Sequence, residues 1–150
     1  MLGGFSINEE CFAKIRELYP QGTILELGSG LGTYHLAQHY TMYSVEHNED
    51  YIGKENSNYI YAPIVNGWYA IDKEYLPEDY GLLLIDGPPS TIDSNIRLNM
   101  KDHLDMFNLD AIIIVDDVHR KAEELLSWYI SEAAGRPVTV YGEKKKFAVI

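Results

Sequence analysis

Short apolar runs alternate with amphipathic segments along the whole chain. Five of the runs have the length and composition of buried strands: TILEL at 23–27, YSVE at 43–46, YIYA at 59–62, GLLLID at 81–86 and AIIIV at 111–115. Strands that are apolar on both faces and alternate with helices are typical of a parallel sheet covered on both sides. The pattern therefore predicts a doubly wound α/β domain, in which ligands bind at the carboxyl ends of the strands.

The segments between these runs predict the connecting elements. Ser6 and Glu9 have the spacing of a capping box at the start of a first helix, which Pro20 and Gly22 end. A second helix is expected from a Gly-rich turn to about Tyr40. The other predicted elements are a helical turn at 48–53, a loop with one helical turn at 63–80, helices at 93–107 and 118–132, and closing strands at 138–141 and 147–150.

The Gly-rich turn follows the first strand and reads ELGSGLGT at 26–33. Glycines let the backbone turn tightly and approach a ligand closely, and the following helix is expected to offer free N–H groups. Glu46 ends the second strand, where an acidic side chain can accept the hydroxyl hydrogens of a ribose. Together the two features predict a nucleoside-bearing cofactor.

The glycine spacing distinguishes between cofactors. A dinucleotide fingerprint needs G-x-G-x-x-G, but Thr33 stands where its third glycine would be. Glu26, inside the strand, would repel a pyrophosphate but suits a cationic ligand such as a sulfonium. A Gly-rich turn without any ligand, and a nicotinamide or flavin cofactor, are the alternatives.

The pattern E-L-G-S-G-x-G-T resembles the first motif of class I S-adenosylmethionine-dependent methyltransferases. The resemblance implies S-adenosylmethionine as the cofactor and a mostly parallel, seven-stranded, Rossmann-like sheet with an antiparallel last strand. The cofactor-binding positions it implies are Glu26, Gly28, Ser29, Gly30, Gly32, Thr33, Glu46, His47, Asp86 and Gly87.

Acidic residues end the fourth and fifth strands. Asp86 begins the segment DGPP, and Asp116 and Asp117 begin the segment DDVHR. Because these strands are expected to be neighbours, the three carboxylates converge, and like charges packed together raise each other's pKa. A hard divalent cation such as Mg²⁺ would relieve that repulsion, since it prefers oxygen ligands. The sequence therefore predicts a metal site at Asp86, Asp116 and Asp117.

Two further resemblances involve these strand ends. The acidic residues resemble those of metal-dependent O-methyltransferases of the catechol type, although Asp117 stands where that family has asparagine. Trp68-Tyr69, IDGPP at 85–89 and VDDVHRKAE at 115–123 are similar to small bacterial Asp-Gly-Pro-Pro methyltransferases and to plant glucuronoxylan 4-O-methyltransferases. They imply methyl transfer to a hydroxyl oxygen of a small molecule or a glycan.

Such a reaction depends mainly on holding the acceptor oxygen, the methyl group and the sulfur in line. A metal at the three aspartates would hold the acceptor hydroxyl and lower its pKa. Without a metal, Asp86 or Asp116 would serve as the general base. Arg120 or His119 would bind an acidic group of the substrate, such as a uronic acid or a phosphate.

The same residues have purely structural alternatives. Asp86 would cap the next turn, and Asp116 or Asp117 would cap the helix that follows. Arg120 would pair with Glu124 one helical turn further on.

Two aromatic and basic segments also have structural readings. Trp68 and Tyr69 would belong to a loop packed on the sheet. The basic run at 144–146 is interpreted as the solvated tip of a turn between strands.

Composition narrows the class of protein. A length of 150 residues favours one domain, with little room for a separate substrate domain, so the acceptor site is either shallow or shared in a homodimer. The formal charge of −11 disfavours binding to nucleic acid or to an anionic membrane. Cys11 is the only cysteine, and neither a signal peptide nor a long apolar run is recognised, so a cytoplasmic location is expected.

Two rival functions remain at this stage. One is a non-catalytic, methyltransferase-like binding module, which would bind a nucleoside ligand or a partner without turnover. The other is a nicotinamide-dependent oxidoreductase, against which the glycine spacing argues. Ligand-dependent stabilisation by S-adenosylmethionine, together with turnover, would distinguish the enzyme from both.

Overall fold

The computed structural model describes residues 7–150, and its strands follow the apolar runs of the sequence. The α-helices are α1 (Glu9–Leu18), α2 (Leu31–Leu36) and α3 (Lys121–Ala134). The strands are β1 (Thr23–Leu27), β2 (Thr41–Glu46), β3 (Asn58–Tyr61), β4 (Ile64–Val65), β5 (Trp68–Tyr69), β6 (Leu82–Ile85), β7 (Ile112–Asp116), β8 (Thr139–Tyr141) and β9 (Phe147–Val149). Short 3-10 helices lie at Glu49–Tyr51, Lys73–Tyr75, Ile96–Asp102 and Leu104–Met106.

Seven strands form one sheet in the order β3-β2-β1-β6-β7-β9-β8. The first five strands in this order are parallel to one another, whereas β9 is antiparallel to both β7 and β8. This confirms the predicted doubly wound sheet with an antiparallel last strand. The chain reverses its direction of travel between β1 and β6, and in such folds the crevice at that point is where ligands bind.

The core consists of two apolar layers, one on each face of the sheet. Successive side chains of a strand point to opposite faces, so on β6 Leu82 and Leu84 pack with α1 and α2 while Leu83 and Ile85 pack with α3. All four are at most 1% exposed. Burial on both faces explains why the central strands read as continuous apolar runs.

The first two helices are shorter than the sequence suggests. Ser6 of the predicted capping box lies outside the described residues, and the side chain of Asn8 caps α1 by accepting a hydrogen bond from the Cys11 N–H at 2.9 Å. The second helix stops at Leu36, because the chain must turn to enter β2. Tyr40 anchors that turn by stacking on Tyr19.

The amphipathic segment 93–107 is not an α-helix but two 3-10 helices. Ile96 and Met100 are buried, as their spacing predicted, but Arg97 beside them is also buried. Its side chain donates hydrogen bonds to residues just beyond β6 and β7. These long-range contacts occur where the segment forms a 3-10 helix, which is wound more tightly than an α-helix. Within residues 7–150, the helices are all too short or too polar to cross a membrane.

Candidate active site

The Gly-rich turn presses the end of β1 against the end of β6. Gly28 has a φ of +92°, and a Cβ atom placed there would lie 2.9 Å from the backbone oxygen of Asp86. A side chain is therefore excluded for both conformational and steric reasons. Gly30 differs, because a Cβ there meets no atom within 4 Å. Any side chain at Gly30 would project into the open space that a ligand would use.

Glu46 is held rigidly at the end of β2. Its Oε1 accepts a hydrogen bond from the Ser29 N–H at 2.9 Å, and its Oε2 accepts one from the Asn48 N–H at 2.8 Å. His47 Nδ1 lies 3.1 Å from the same Oε2. Since each carboxylate oxygen has two acceptor sites, Glu46 can still accept hydrogen bonds from a ligand.

Glu26 lies behind this turn and does not line the cavity. Its Oε2 accepts hydrogen bonds from the hydroxyls of Thr33 and Ser44, each at 2.5 Å. Burial raises the pKa of Glu26 to about 7. Glu26 was predicted among the cofactor-binding residues, but its side chain does not face the cavity. Its carboxyl group instead ties α2 and β2 to β1. Gly32, buried in α2, likewise does not reach the cavity.

The three strand-end aspartates converge as predicted. One side-chain oxygen from each of Asp86, Asp116 and Asp117 lies within 4.8 Å of the others. Asp86 is 16% exposed at the side chain, whereas Asp116 is almost fully buried. Of the two aspartates considered as a base, Asp86 is therefore the one that a bound molecule can reach.

Arg97 is a central residue of the site that the sequence did not reveal. It is 5% exposed, and its Nη1 donates to Asp117 Oδ2 at 2.8 Å. Its Nε donates to the Pro88 carbonyl at 3.0 Å, and its Nη2 donates to the Asp86 carbonyl at 3.1 Å. One guanidinium group therefore fixes the ends of both acidic strands.

Lys145 contradicts the interpretation of the basic run 144–146 as a solvated tip. Its Nζ lies 3.3 Å from Asp116 Oδ2 and 3.7 Å from Asp117 Oδ1. The turn before β9 is fixed over the end of β7, because the Val118 N–H donates to the Lys146 carbonyl at 2.9 Å. His119 Nδ1 accepts a hydrogen bond from the Lys146 N–H at 3.2 Å, so His119 holds this turn and does not line the cavity.

Arg120 lines the cavity but does not make the predicted contact. Its Nη1 donates to Ser90 Oγ at 2.9 Å and lies 3.4 Å from the buried carboxylate of Glu123. Glu124 pairs with Lys121 instead.

Neither Asp116 nor Asp117, at the end of β7, caps the next helix, because α3 begins at Lys121 with Arg120 at the N-cap. Asp117 has a φ of +63° and its carbonyl closes a turn with the Arg120 N–H. The chain must complete that turn before α3 can start.

The aspartates differ in their pKa values. Burial, and then the neighbouring Asp116, raises the pKa of Asp86 well above its usual range. Burial and Asp117 raise the pKa of Asp116. Burial alone would also raise the pKa of Asp117, but the hydrogen bond and charge of Arg97, with Lys145 nearby, lower it. The cluster therefore has one firmly ionised member and two that retain a proton more readily.

The chain itself already relieves the repulsion that suggested a metal. Arg97, Arg120 and Lys145 each lie within 3.6 Å of an aspartate oxygen of the cluster. These cations therefore supply positive charge that a divalent cation would otherwise bring to the three carboxylates.

One cavity of about 620 Å³ joins these features, a volume typical of small-molecule sites. Eight of the predicted site residues line it: Gly28, Ser29, Gly30, Glu46, His47, Asp86, Asp117 and Arg120. Arg97 and Lys145 are the lining cations that were not predicted. The predicted residues behind its wall are Glu26, Gly32, Thr33, Gly87 and Asp116.

No protein-family model matches the sequence, and no curated protein matches it. Three of the solved structures that resemble the chain are each 13% identical to it. The methyltransferase PaMTH1 of Podospora anserina, bound to SAH, has a TM-score of 0.44, and the match covers 85% of this chain and 70% of that one. A TehB-like SAM-dependent methyltransferase of Corynebacterium glutamicum has a TM-score of 0.48, with 90% and 82% covered, and the magnesium protoporphyrin IX methyltransferase of Synechocystis with bound SAM has a TM-score of 0.49, with 94% and 76% covered. At this similarity they add nothing to what the sheet order already shows.

Proposed function

We propose that this protein transfers a methyl group from S-adenosylmethionine to a hydroxyl oxygen. The observation that carries the proposal is one cavity at the reversal of strand order. The Gly-rich turn after β1, Glu46 at the end of β2 and Asp86 after β6 all face it. A ligand that touches all three would need a sugar with free hydroxyls, a compact body near the glycines and a reacting group beside a carboxylate.

The residues present fit this cofactor. Glu46 is oriented by two backbone N–H groups and keeps acceptor sites for ribose hydroxyls. Gly30 leaves open the space that a Cβ would begin to fill. S-adenosylmethionine, when bound, supplies an electrophilic methyl group on a positively charged sulfur.

Asp86 is proposed as the general base. It lies at the cavity wall, and its raised pKa makes its ionised form a stronger base than an exposed aspartate. Its carboxylate would take the proton from the acceptor hydroxyl, so that the oxygen develops negative charge as it reacts. Arg97 and Lys145 lie beside the cluster and would stabilise the ionised state that the base needs.

Arg120 is proposed to bind an acidic group on the acceptor. Its side chain is 41% exposed and lines the cavity beside Ser90. A partly exposed arginine can form a two-point contact with a carboxylate or a phosphate. The proposal fails for Arg120 if replacement by alanine leaves the Michaelis constant for an acidic acceptor unchanged.

Calorimetric titration with S-adenosylhomocysteine tests the cofactor assignment directly. We expect the wild-type chain to bind, Gly30→Arg to lose binding and Gln38→Arg to retain it. Gln38 is exposed and follows α2, so it is a matched site for the same side chain outside the cavity. Absence of binding to the wild type would overturn the proposal.

Turnover is then measured with hydroxyl acceptors, with Mg²⁺ and with a chelator. Because the chain's own cations approach the aspartate oxygens, we expect the rate to be independent of Mg²⁺. A wild-type rate that requires Mg²⁺, together with an Asp116→Ala rate that Mg²⁺ no longer restores, would support the metal site.

A further inference from the structure

A second cavity, of about 950 Å³, lies outside the active site. It is bounded by the edge strand β3, the β4–β5 hairpin and the 3-10 helices Lys73–Tyr75 and Leu104–Met106. Six of its lining residues carry aromatic rings: Tyr59, Tyr61, Trp68, Tyr69, Tyr75 and His103. We call this cavity the aromatic groove.

The rings of the aromatic groove fall into two groups, one buried and one exposed. Trp68 and Tyr69 are buried at 2% and 5% exposure, and Trp68 stacks on His103 with centroids 5.8 Å apart. Tyr61 and Tyr75 are 47% and 64% exposed. Large exposed side chains gathered beside a cavity mark binding surfaces more often than scattered ones do. The groove therefore offers two exposed aromatic faces above a rigid aromatic base.

The charge of the groove differs from that of the active site. Asp72 is its only acidic lining residue, and neither lysine nor arginine lines it. A phosphate or a uronic acid would find no cation here, whereas the active-site cavity is lined by three. The lining of the groove therefore disfavours an anionic ligand.

Polar groups lie among the rings. The amide of Asn66, the carboxylate of Asp72 and the hydroxyls of the exposed Tyr61 and Tyr75 can exchange hydrogen bonds with hydroxyl groups. The buried indole N–H of Trp68 has no acceptor among residues 7–150. A neutral ligand with apolar C–H faces and a rim of hydroxyls matches this combination, which is the chemistry of a pyranose ring.

The aromatic groove and the active site share a wall of two tyrosines. Tyr59 lines the groove, and its hydroxyl lies 2.9 Å from Ser29 Oγ in the Gly-rich turn. Tyr69 also lines the groove, and its hydroxyl occupies the space that a side chain at Gly87 would need. A chain-like ligand in the groove therefore lies next to the cavity that holds Asp86.

We propose that the aromatic groove binds a neutral carbohydrate chain. This proposal rests on the proposed methyl transfer in one respect: the sugar in the groove would belong to an acceptor whose reacting unit enters the active site. Tyr61 and Tyr75 stack on sugar rings, and Asn66 and Asp72 bind their hydroxyls.

Fluorescence of Trp68 provides a direct test. The chain has two tryptophans, and Trp128 on α3 is 68% exposed, so Trp128→Phe leaves Trp68 as the only reporter. This protein is titrated with cellohexaose, xylohexaose, mannohexaose and maltohexaose, without S-adenosylmethionine. We expect a saturable change with at least one of them. Tyr61→Ala and Tyr75→Ala should each weaken it about ten-fold, as expected for the loss of one aromatic contact.

The control is Tyr129→Ala, which removes a tyrosine of similar exposure on α3 and should leave sugar binding unchanged. S-adenosylhomocysteine binding should be unchanged in Tyr75→Ala. If none of the four sugars binds, the groove proposal is overturned, and the methyl-transfer proposal is judged separately by S-adenosylhomocysteine binding. Tyr75-dependent binding of catechol without any sugar binding would also overturn it. Sugar binding without S-adenosylhomocysteine binding would support the groove and overturn the methyl transfer.

Discussion

The active-site cavity and the aromatic groove share a wall, yet the side chains that line them have opposite character. The first contains buried carboxylates and cations whose positions are fixed by hydrogen bonds, as at Arg97 and Glu46. The second presents exposed rings such as Tyr61 and Tyr75 with little charge. A fixed charge network positions reacting atoms, whereas neutral aromatic faces bind extended ligands with little desolvation cost. On the two proposals above, the chain would carry out chemistry in one cavity and recognition in the other.

The largest expected effect is a loss of catalysis when Asp86, in the charged active-site cavity, is replaced. Asp86→Asn keeps the shape of the side chain but removes the proposed base, so kcat should fall by roughly 10²–10⁴-fold. S-adenosylhomocysteine binding should persist. In the wild type, kcat/KM should rise with pH as Asp86 loses its proton above the usual aspartate range, because burial raises its pKa. The variant should lack that rise.

The control for this measurement is Asp102→Asn, an exposed aspartate paired with Lys101 away from the cavity. Its kcat and pH profile should match those of the wild type. An Asp86→Asn protein with undiminished kcat would mean that the proton leaves by another route.

Substitution of Arg97 tests whether the hydrogen-bonded charges of the active-site cavity contribute to the stability of the fold. Arg97→Met leaves Asp117 without its 2.8 Å partner in a buried place, so the free energy of unfolding should fall by about 3–5 kcal/mol in urea denaturation. Arg97→Lys should lose less, because it keeps the charge but not the fork of donors. A loss below about 1 kcal/mol in Arg97→Met would place the pair among weak surface contacts.

Glu26, buried beneath the Gly-rich turn, should make the stability of the fold depend on pH. Its folded pKa of about 7 lies above the ordinary 4.5, so the folded chain holds the proton more tightly than the unfolded chain. This stabilisation is fully present below about pH 4.5 and is lost as the pH rises through about 7. Relative to Glu26→Gln, the wild type should lose on the order of 3 kcal/mol across that window.

Thermal or urea unfolding of both proteins at several pH values gives the difference. Contributions from the other carboxylates cancel when the two curves are subtracted. Parallel curves would show that Glu26 is ionised in the folded state.

The smallest effect is expected in the aromatic groove. Tyr75→Ala removes a ring that is 64% exposed, so its free energy of unfolding should stay within about 0.5 kcal/mol of the wild type. Arg97 and Tyr75 would then mark the two extremes: one residue essential to the fold and the other needed only for binding. A large loss of stability in Tyr75→Ala would break the comparison, because the ring would then belong to the core.

The parts of the fold that the sequence revealed are those that depend on local pattern. The central strands are buried on both faces, so GLLLID and AIIIV read directly as strands. The hairpin of β4 and β5 did not appear, because each strand has only two residues and shows no periodicity. The sequence therefore did not predict the aromatic groove that this hairpin bounds, although it placed Trp68 and Tyr69 in a loop packed on the sheet.

In the active site, the acidic residues were predictable and their cationic partners were not. Asp86, Asp116 and Asp117 follow strands, so their convergence follows from the topology. Arg97 lies among apolar residues of an amphipathic segment, and Lys145 lies in a basic run. Both patterns are typical of solvent-facing residues. The available clue was physical: three clustered carboxylates favour nearby cations, and a metal ion is only one way to supply them.

The wall formed by Tyr59 and Tyr69 has a thermodynamic consequence. A molecule in the groove touches Tyr59, whose hydroxyl contacts Ser29 in the lining of the active-site cavity, so occupancy of one cavity can change affinity in the other. Reciprocity then requires equal effects in both directions. If sugar tightens cofactor binding by some factor, cofactor must tighten sugar binding by the same factor. The two titrations, each repeated with the second cavity filled, would therefore have to agree.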